Sequence, residues 1–207
     1  MPGGTSPAAR DPVLMKASRL LPPPKRWQSE LAGVLIGEER IQRRVRQLAR
    51  EVARDFTGKD LVVVALLNGT VLFLADLVRH LDLPLRLDFI GVSSYGNRTS
   101  PGELVFTKEL RLDVRGRDVL LVDDILDTGR TLHTVQVKLR ELKPRRLRTC
   151  VLLDKPARRV RHVRVDYTGF EAPDQFVVGY GLDYAERYRN LPFIGVLRPE
   201  VYQAGTS

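Results

Sequence analysis

Residues 119–132, VLLVDDILDTGRTL, set three carboxylates, Asp123, Asp124 and Asp127, directly before the turn Thr128-Gly129-Arg130-Thr131. Carboxylates repel phosphate. A Thr-Gly-x-Thr turn that opens a helix attracts it, through backbone N–H groups and threonine hydroxyls. Gly129 permits close backbone approach to an anion. A ligand that wants both would carry a phosphate at one end, sugar hydroxyls next and a reactive centre beyond. Asp123 and Asp124 can accept hydrogen bonds from the hydroxyls and help hold Mg²⁺, while Asp127 reaches toward whatever joins or leaves the sugar. Taken alone, the turn reads equally well as a capped helix with Asp127 or Thr128 as N-cap.

The elements around the turn narrow this choice. Strand-like runs at 61–67 (LVVVALL), 85–92 (LRLDFIGV), 118–123 (DVLLVD) and 147–153 (LRTCVLL) alternate with helical patterns near 38–55, 71–81 and 131–142. That alternation predicts βαβ units: an α/β fold with a mainly parallel twisted sheet flanked by helices on both faces. In such sheets ligands bind outside the carboxyl ends of the strands. The acids are expected there, starting where the apolar run 119–122 stops. YGNRTSPGE at 95–103 has the composition of a hairpin or lid loop. The last third adds a short strand and an irregular cap. Residues 1–28, rich in Gly, Pro and Ser and then LPPPKRW, read as a disordered N-terminal tail, with one domain over 29–207.

Composition excludes several classes. The chain has 207 residues, 43% of them hydrophobic, enough for one sizeable core. It has neither an 18-residue apolar run nor a signal-peptide pattern, so the expectation is a soluble, cytoplasmic protein without membrane association. A single cysteine, Cys150, rules out a disulfide framework, and His80, His133 and His162 are too scattered for a zinc site. The net charge of +9 and pI of about 10.0 raise the question of nucleic acid. In 38–56, however, Ile41, Val45, Leu48 and Val52 recur at helical spacing with Arg43, Arg46, Arg50 and Arg54 between them, the pattern of an amphipathic helix. KPRRLR at 143–148 and ARRVRHVR at 157–164 suit exposed basic loops flanking a strand. Acidic substrates explain part of the charge balance equally well, and nucleic acid is not the expected partner.

The whole string, four apolar residues, Asp123-Asp124, two apolar residues and Asp127-Thr-Gly-Arg-Thr131, resembles the phosphoribosyl pyrophosphate signature of type I phosphoribosyltransferases. LLDKP, with Lys155 at a third strand end, and PDQFVVGYGLDYAERYRNLP at 173–192 narrow the resemblance to the hypoxanthine-guanine phosphoribosyltransferases, over roughly residues 61–198. The family implies a type I phosphoribosyltransferase fold with a small hood and a flexible lid. It also implies purine salvage: a 6-oxopurine and phosphoribosyl pyrophosphate give a nucleoside monophosphate and pyrophosphate, with Mg²⁺, in a homodimer or homotetramer.

By that resemblance Asp127 is the general base for the purine's imidazole-ring proton, and Lys155 donates to the exocyclic oxygen. Phe176 stacks on the base, and the main chain of Val177 reads its edge. Asp183 coordinates Mg²⁺ beside the base with help from Asp123 and Asp124. Leu67, Asn68, Gly69 and Arg189 hold pyrophosphate, and Ser94 and Tyr95 head the lid. Each residue has a plainer alternative: Phe176 and Val177 in a core strand, Lys155 as a solvated loop lysine, Arg189 in a surface ion pair.

The chain departs from the family pattern twice. Asp123-Asp124 stands where members usually carry Glu-Asp. Asn68 stands where they typically carry lysine in Leu-Lys-Gly, after a non-proline cis bond whose exposed amides hold pyrophosphate. A regulatory phosphoribosyltransferase-like protein that senses the same ligand and binds RNA is the alternative. Such regulators usually place tyrosine where this chain keeps Asp127.

Overall fold

The computed structural model describes residues 15–16, 19–93 and 104–203. Among these the order is β1 (Met15–Lys16), β2 (Leu31–Ile36), α1 (Glu38–Phe56), β3 (Leu61–Leu67), α2 (Val71–Arg79), β4 (Leu85–Ser93), β5 (Val105–Lys108), β6 (Asp118–Leu126), α3 (Arg130–Glu141), β7 (Arg146–Asp154), β8 (Tyr167–Glu171), β9 (Val177–Val178), β10 (Ile194–Leu197) and α4 (Pro199–Gln203). The main sheet runs β1-β8-β7-β6-β3-β4-β5, and a smaller sheet, β2-β10-β9, forms a cap. Every pairing in the main sheet is parallel except β4 with β5.

The continuous apolar runs are explained by burial on both faces. Leu61, Val63 and Ala65 of β3 join Leu120 and Val122 of β6 against α1 and α2, whereas Val62, Val64, Val119 and Leu121 turn the other way against Leu132, Val135 and Leu139 of α3. A separate small core of Leu31, Val178, Tyr188 and Leu197 fills the cap. After β3 the chain moves outward to β4, then returns to place β6 on the other side of β3. This reversal opens a crevice between the carboxyl ends of β3 and β6, where open α/β sheets take their ligands.

The structure corrects two expectations and adds a strand. β6 does not stop before the acids: it continues through Leu126, with Asp123 opposite Val151 and Ile125 opposite Leu153, because β7 keeps supplying backbone partners. Part of the presumed tail is built into the cap. Leu21 exchanges 2.8 Å backbone hydrogen bonds with Val34, and Trp27 meets Tyr188 edge-on at 5.8 Å. Residues 1–14 and 17–18 lie outside the described residues. The strand β2 was not foreseen, and β2 and β10 together carry the cap. The segment 94–103, with the predicted lid residues Ser94 and Tyr95, also lies outside the described residues. Among the described residues no helix is long and apolar enough to cross a membrane.

One arginine of α1 escapes the amphipathic reading. Arg43, Arg46, Arg50 and Arg54 are exposed as expected, but Arg44 is buried. Its Nη2 donates to Thr168 O at 2.7 Å, its Nε to Gly169 O at 3.0 Å and its Nη1 to Glu51 at 2.7 Å. The guanidinium thereby ties the helix to β8 and satisfies carbonyls that water cannot reach. Arg44→Leu is expected to lower unfolding free energy in urea by about 3 kcal/mol, since it orphans those acceptors and a partly buried carboxylate. Arg43→Leu is expected to change it by less than about 0.5 kcal/mol.

Candidate active site

Four chain segments converge at the crevice. β3 ends in Leu67-Asn68-Gly69-Thr70, with a cis peptide bond between Leu67 and Asn68. β6 ends in the acids and the 128–131 turn, β7 ends at Lys155, and the cap descends through 173–192. Gly129, at φ +81°, is the N-cap of α3, and no side chain caps the helix. Neither Asp127 nor Thr128 therefore serves as the N-cap. The carbonyl of Thr128 is held by the amides of Val160 and Arg161 at 2.9 and 3.0 Å. The turn is thus pinned from outside, with Thr128, Gly129 and Thr131 lining the crevice.

Two adjoining cavities occupy the site. One, about 250 Å³, is lined by Gly69, Thr70, Asp123 and the 127–129 turn with Thr131. The other, about 340 Å³, is lined by Asn68, Lys155, Phe176, Val177, Asp183 and Arg189, together with Arg158. Gly69, Asp124, Ile125 and Asp127 belong to both walls. The arrangement resolves the opposition of acids and phosphate cradle: the acids form the partition, with the cradle on one side and an aromatic-lined pocket on the other.

Asp123 and Asp124 are both buried, and Asp123 Oδ1 accepts from Thr70 Oγ1 at 3.2 Å and from the Asp124 amide at 3.0 Å. Burial, reinforced by the neighbouring Asp124 carboxylate, holds the Asp123 carboxyl well above the ordinary value of 3.8. Burial raises Asp124 too, with Arg189 among the groups that pull it back down. The pair therefore retains a proton that the same carboxyls would release in the unfolded chain.

Asp127 behaves differently. Its Oδ1 is buried and accepts no hydrogen bond, although Arg158 Nε lies 3.2 Å away at an angle that makes none. An acceptor left without a donor between the two cavities is poised for an N–H of a ligand. Lys155 is buried, not solvated, and its Nζ donates to Gln175 O at 2.5 Å. Burial lowers its pKa, against the pull of Asp127. Phe176 lines the pocket with Tyr202 stacked on it at 5.0 Å and Tyr184 edge-on at 5.5 Å. Val177 is at once cavity wall and strand, in β9.

Arg189 reaches the site but is engaged: it pairs with Asp183 at 2.9 Å and Glu186 at 2.9 Å and donates to Gly181 O at 2.8 Å. The structure does not gather Asp183 with Asp123 and Asp124. Among the described residues no group of three such side chains could hold a metal ion. Asp123 bonds Thr70 in the first cavity, whereas Asp183, paired with Arg189, shares only the second cavity's wall with Asp124. Arg130 is exposed and lines neither cavity, its amide making only a 3.4 Å contact to Thr128 Oγ1. The sequence reading missed Thr70 and Arg158. It also missed Arg159, which bonds the Asp127 carbonyl at 3.1 Å and pairs with Asp154. The only hint for both arginines was their position just after a strand end.

Residues 36–185 match the family described as phosphoribosyl transferase domain. The hypoxanthine-guanine phosphoribosyltransferase of Bacillus subtilis (strain 168) is 47% identical over 176 residues, 84% of this chain and 98% of that protein. The chain belongs to the hypoxanthine-guanine phosphoribosyltransferase family. A crystal structure of a hypoxanthine phosphoribosyltransferase from Staphylococcus aureus superimposes with a TM-score of 0.80 at 44% identity, covering 86% of this chain and 97% of that one. The bifunctional protein TilS/HprT of Listeria monocytogenes serotype 4b is 47% identical over 175 residues, and there the match spans 27% of the longer protein. The expected type I phosphoribosyltransferase fold is therefore borne out, with its parallel sheet and small hood.

The acid pair in this phosphoribosyltransferase has a measurable consequence. A carboxyl whose folded pKa is raised costs stability as pH rises from 3.8 toward that folded value. Asn at position 123 can accept from Thr70 and donate to Asp124 without a charge. Asp123→Asn is expected to raise the thermal midpoint at pH 7 by about 2–4 °C, what ~1 kcal/mol produces in a chain of this size. Calorimetry should show the gain shrinking as pH is lowered toward 4.

Proposed function

We propose that the protein is a Mg²⁺-dependent purine-salvage enzyme. It would transfer the phosphoribosyl group from phosphoribosyl pyrophosphate to hypoxanthine, and to guanine, releasing pyrophosphate and giving IMP or GMP. The observation that carries this reading is the shared partition: a phosphate cradle and an aromatic pocket meet at Asp124 and Asp127, and Asp127 Oδ1 has no donor of its own.

In this reading the 5′-phosphate takes the amides and hydroxyls of the 128–131 turn, and Asp124, backed by Asp123, accepts from the ribose hydroxyls. The purine enters the second cavity against Phe176 and Val177. Lys155 Nζ then exchanges its carbonyl partner for the exocyclic oxygen, a contact an amino-purine does not reciprocate. Asp127 Oδ1 accepts the imidazole-ring proton as the purine nitrogen bonds to the sugar carbon and the bond to pyrophosphate breaks. The amides of Leu67-Asn68-Gly69 and the guanidinium of Arg189 receive the leaving group, and Ser94 and Tyr95 head a segment that would exclude water.

Asp183, half-buried on the cavity wall, offers the carboxylate for Mg²⁺. Few protein oxygens suit that ion, which keeps waters and takes phosphate oxygens from substrate. When bound, it neutralises charge building on the leaving group. Buried, reduced Cys150 fits a cytoplasmic setting. The apolar concavity of about 480 Å³ between Leu67, Val71, Leu74 and Phe89 fits a homo-oligomer.

Supplied with phosphoribosyl pyrophosphate, Mg²⁺ and a panel of bases, the protein is expected to form nucleotide from hypoxanthine and guanine and not from adenine or orotate. Absence of turnover with every 6-oxopurine overturns the reading. Asp127→Asn is expected to keep phosphoribosyl pyrophosphate binding while kcat drops roughly 10²–10⁴-fold. Asn68, exposed at the pocket rim, lacks the charge of the lysine it replaces. Asn68→Lys is expected to lower KM for phosphoribosyl pyrophosphate with little change in KM for the purine, by steady-state kinetics in both substrates.

A further inference from the structure

The end of the sheet opposite the cavities carries a repeated arrangement that phosphoribosyl transfer does not use. Three aspartates stand at or just before the starts of β3, β6 and β8, and each holds two arginines. Asp60 pairs with Arg86 at 2.6 Å and with Arg117; Asp118 pairs with Arg145 and, at 3.8 Å, with Arg146; Asp166 pairs with Arg148 at 2.5 Å and with Arg164 at 3.5 Å. One carboxylate neutralises one guanidinium, so each group leaves a positive charge over. Asp118 and Asp166 are buried beneath their arginines, and Asp166 is fixed further by the Thr149 amide at 2.9 Å. Ion pairing for stability alone would need half the arginines. Here buried acids act as footings that orient guanidinium groups whose outer edges stay open: Arg145 is 56% exposed and Arg164 73%.

Between the second and third groups lies an open groove of about 390 Å³ lined by Arg140, Arg145, Arg146, Arg148 and Arg164, with Pro144 and Leu147. Its cations are all arginine, whose planar fork pairs with phosphate where lysine offers a point charge. No aromatic side chain lines it, so it has no platform on which unpaired bases would stack. From Arg86 on β4 to Arg164 before β8 the band crosses five strands, about 19 Å at ~4.8 Å per strand. That is too long for a single oligophosphate. It suits several phosphates of a duplex backbone, whose charges recur along the helix axis at about 3.4 Å per strand. Like charge opposes burying this face against a second copy of the chain.

We propose that this arginine band is a docking surface for the phosphodiester backbone of a double-helical nucleic acid, read without regard to base sequence. It lies roughly 25 Å from the catalytic crevice, the length of β6, and is independent of it. The enzyme reading stands beside it unchanged. The chain's +9 charge is thereby partly localised.

The test is fluorescence anisotropy of the full-length protein with labelled 16-base-pair RNA and DNA duplexes of arbitrary sequence, titrated across 50–200 mM salt. Three uncompensated charges predict a log–log salt slope of about −3. Arg146→Ala/Arg164→Ala removes the more distant partner of Asp118 and of Asp166 and keeps Arg145 and Arg148 in place, so the thermal midpoint should hold. Affinity at 50 mM salt should fall about tenfold or more and the slope should lose about two. Arg43→Ala/Arg50→Ala on the exposed face of α1 removes the same net charge and should leave binding intact. Tighter binding of either duplex supports the surface and identifies its natural partner class. The proposal is overturned if neither duplex binds at 50 mM salt, if the groove variant binds like the parent, or if the α1 variant weakens binding equally. Displacement of the duplex by pyrophosphate with Mg²⁺ would overturn it too, by placing the contact in the catalytic cavity.

Discussion

Three chain segments meet at the site through contacts too close for any side chain. A Cβ on Gly69 would stand 1.9 Å from Asp124 Oδ2, and one on Gly181, itself at φ +100°, would stand 1.9 Å from Gly69 O. The end of β3, the acids of β6 and the descending cap are therefore locked at backbone contact. Moving any one segment out by the width of a methyl group would separate the two cavities from their common wall. The site depends on this stack: Asp124 is on both walls because Gly69 lets it in, and Asp183 and Arg189 of the cap share the second wall with Gly69 because Gly181 sits down on it.

That closeness sets the electrostatics. Two adjacent carboxyls pressed under a backbone cannot both ionise cheaply, so the unliganded chain keeps a proton on the pair and loses stability as pH rises. Asp127, three residues beyond Asp124, stays outside the pair and has an oxygen that accepts no hydrogen bond. The same few residues thus supply a buried, proton-sharing hydrogen-bonding floor and an oxygen that no hydrogen bond satisfies, two roles separated by depth in the crevice. Cost at the site is offset in the sheet, where both faces of β3 and β6 are fully covered.

Excess positive charge is distributed by a different rule. On α1 Arg43, Arg46, Arg50 and Arg54 face solvent, whereas Arg40 lies over the Phe170 ring and Arg44 satisfies carbonyls of β8. At the amino ends of the strands arginines are paired on aspartates and aligned by the strand spacing. Composition cannot distinguish these cases, because a charge count carries no information on which guanidinium groups share a footing.

The sequence by itself determined the strands, the helices and the chemical types at their ends. β3 coincides with LVVVALL, and α1 runs one residue beyond its predicted end. Periodicity and apolar continuity are local properties set by burial on one face or two, so they survive in the linear text. The motif at 119–132, the lysine at 155 and the segment 173–192 were legible for the same reason: each is contiguous. Only the tertiary structure decided that β6 runs on through its acids, since strand length is set by the neighbouring β7. It decided that β2 belongs to the cap, through partners more than a hundred residues away in β10, and that Leu21 and Trp27 join it through Val34 and Tyr188. It also decided that Asp183 shares a wall with Asp124 but not with Asp123, that Thr70 and Arg158 face the site, and that Asp127 has an unsatisfied oxygen. Those are matters of angstroms between distant segments, fixed by close packing at glycine, and no spacing along the chain encodes them.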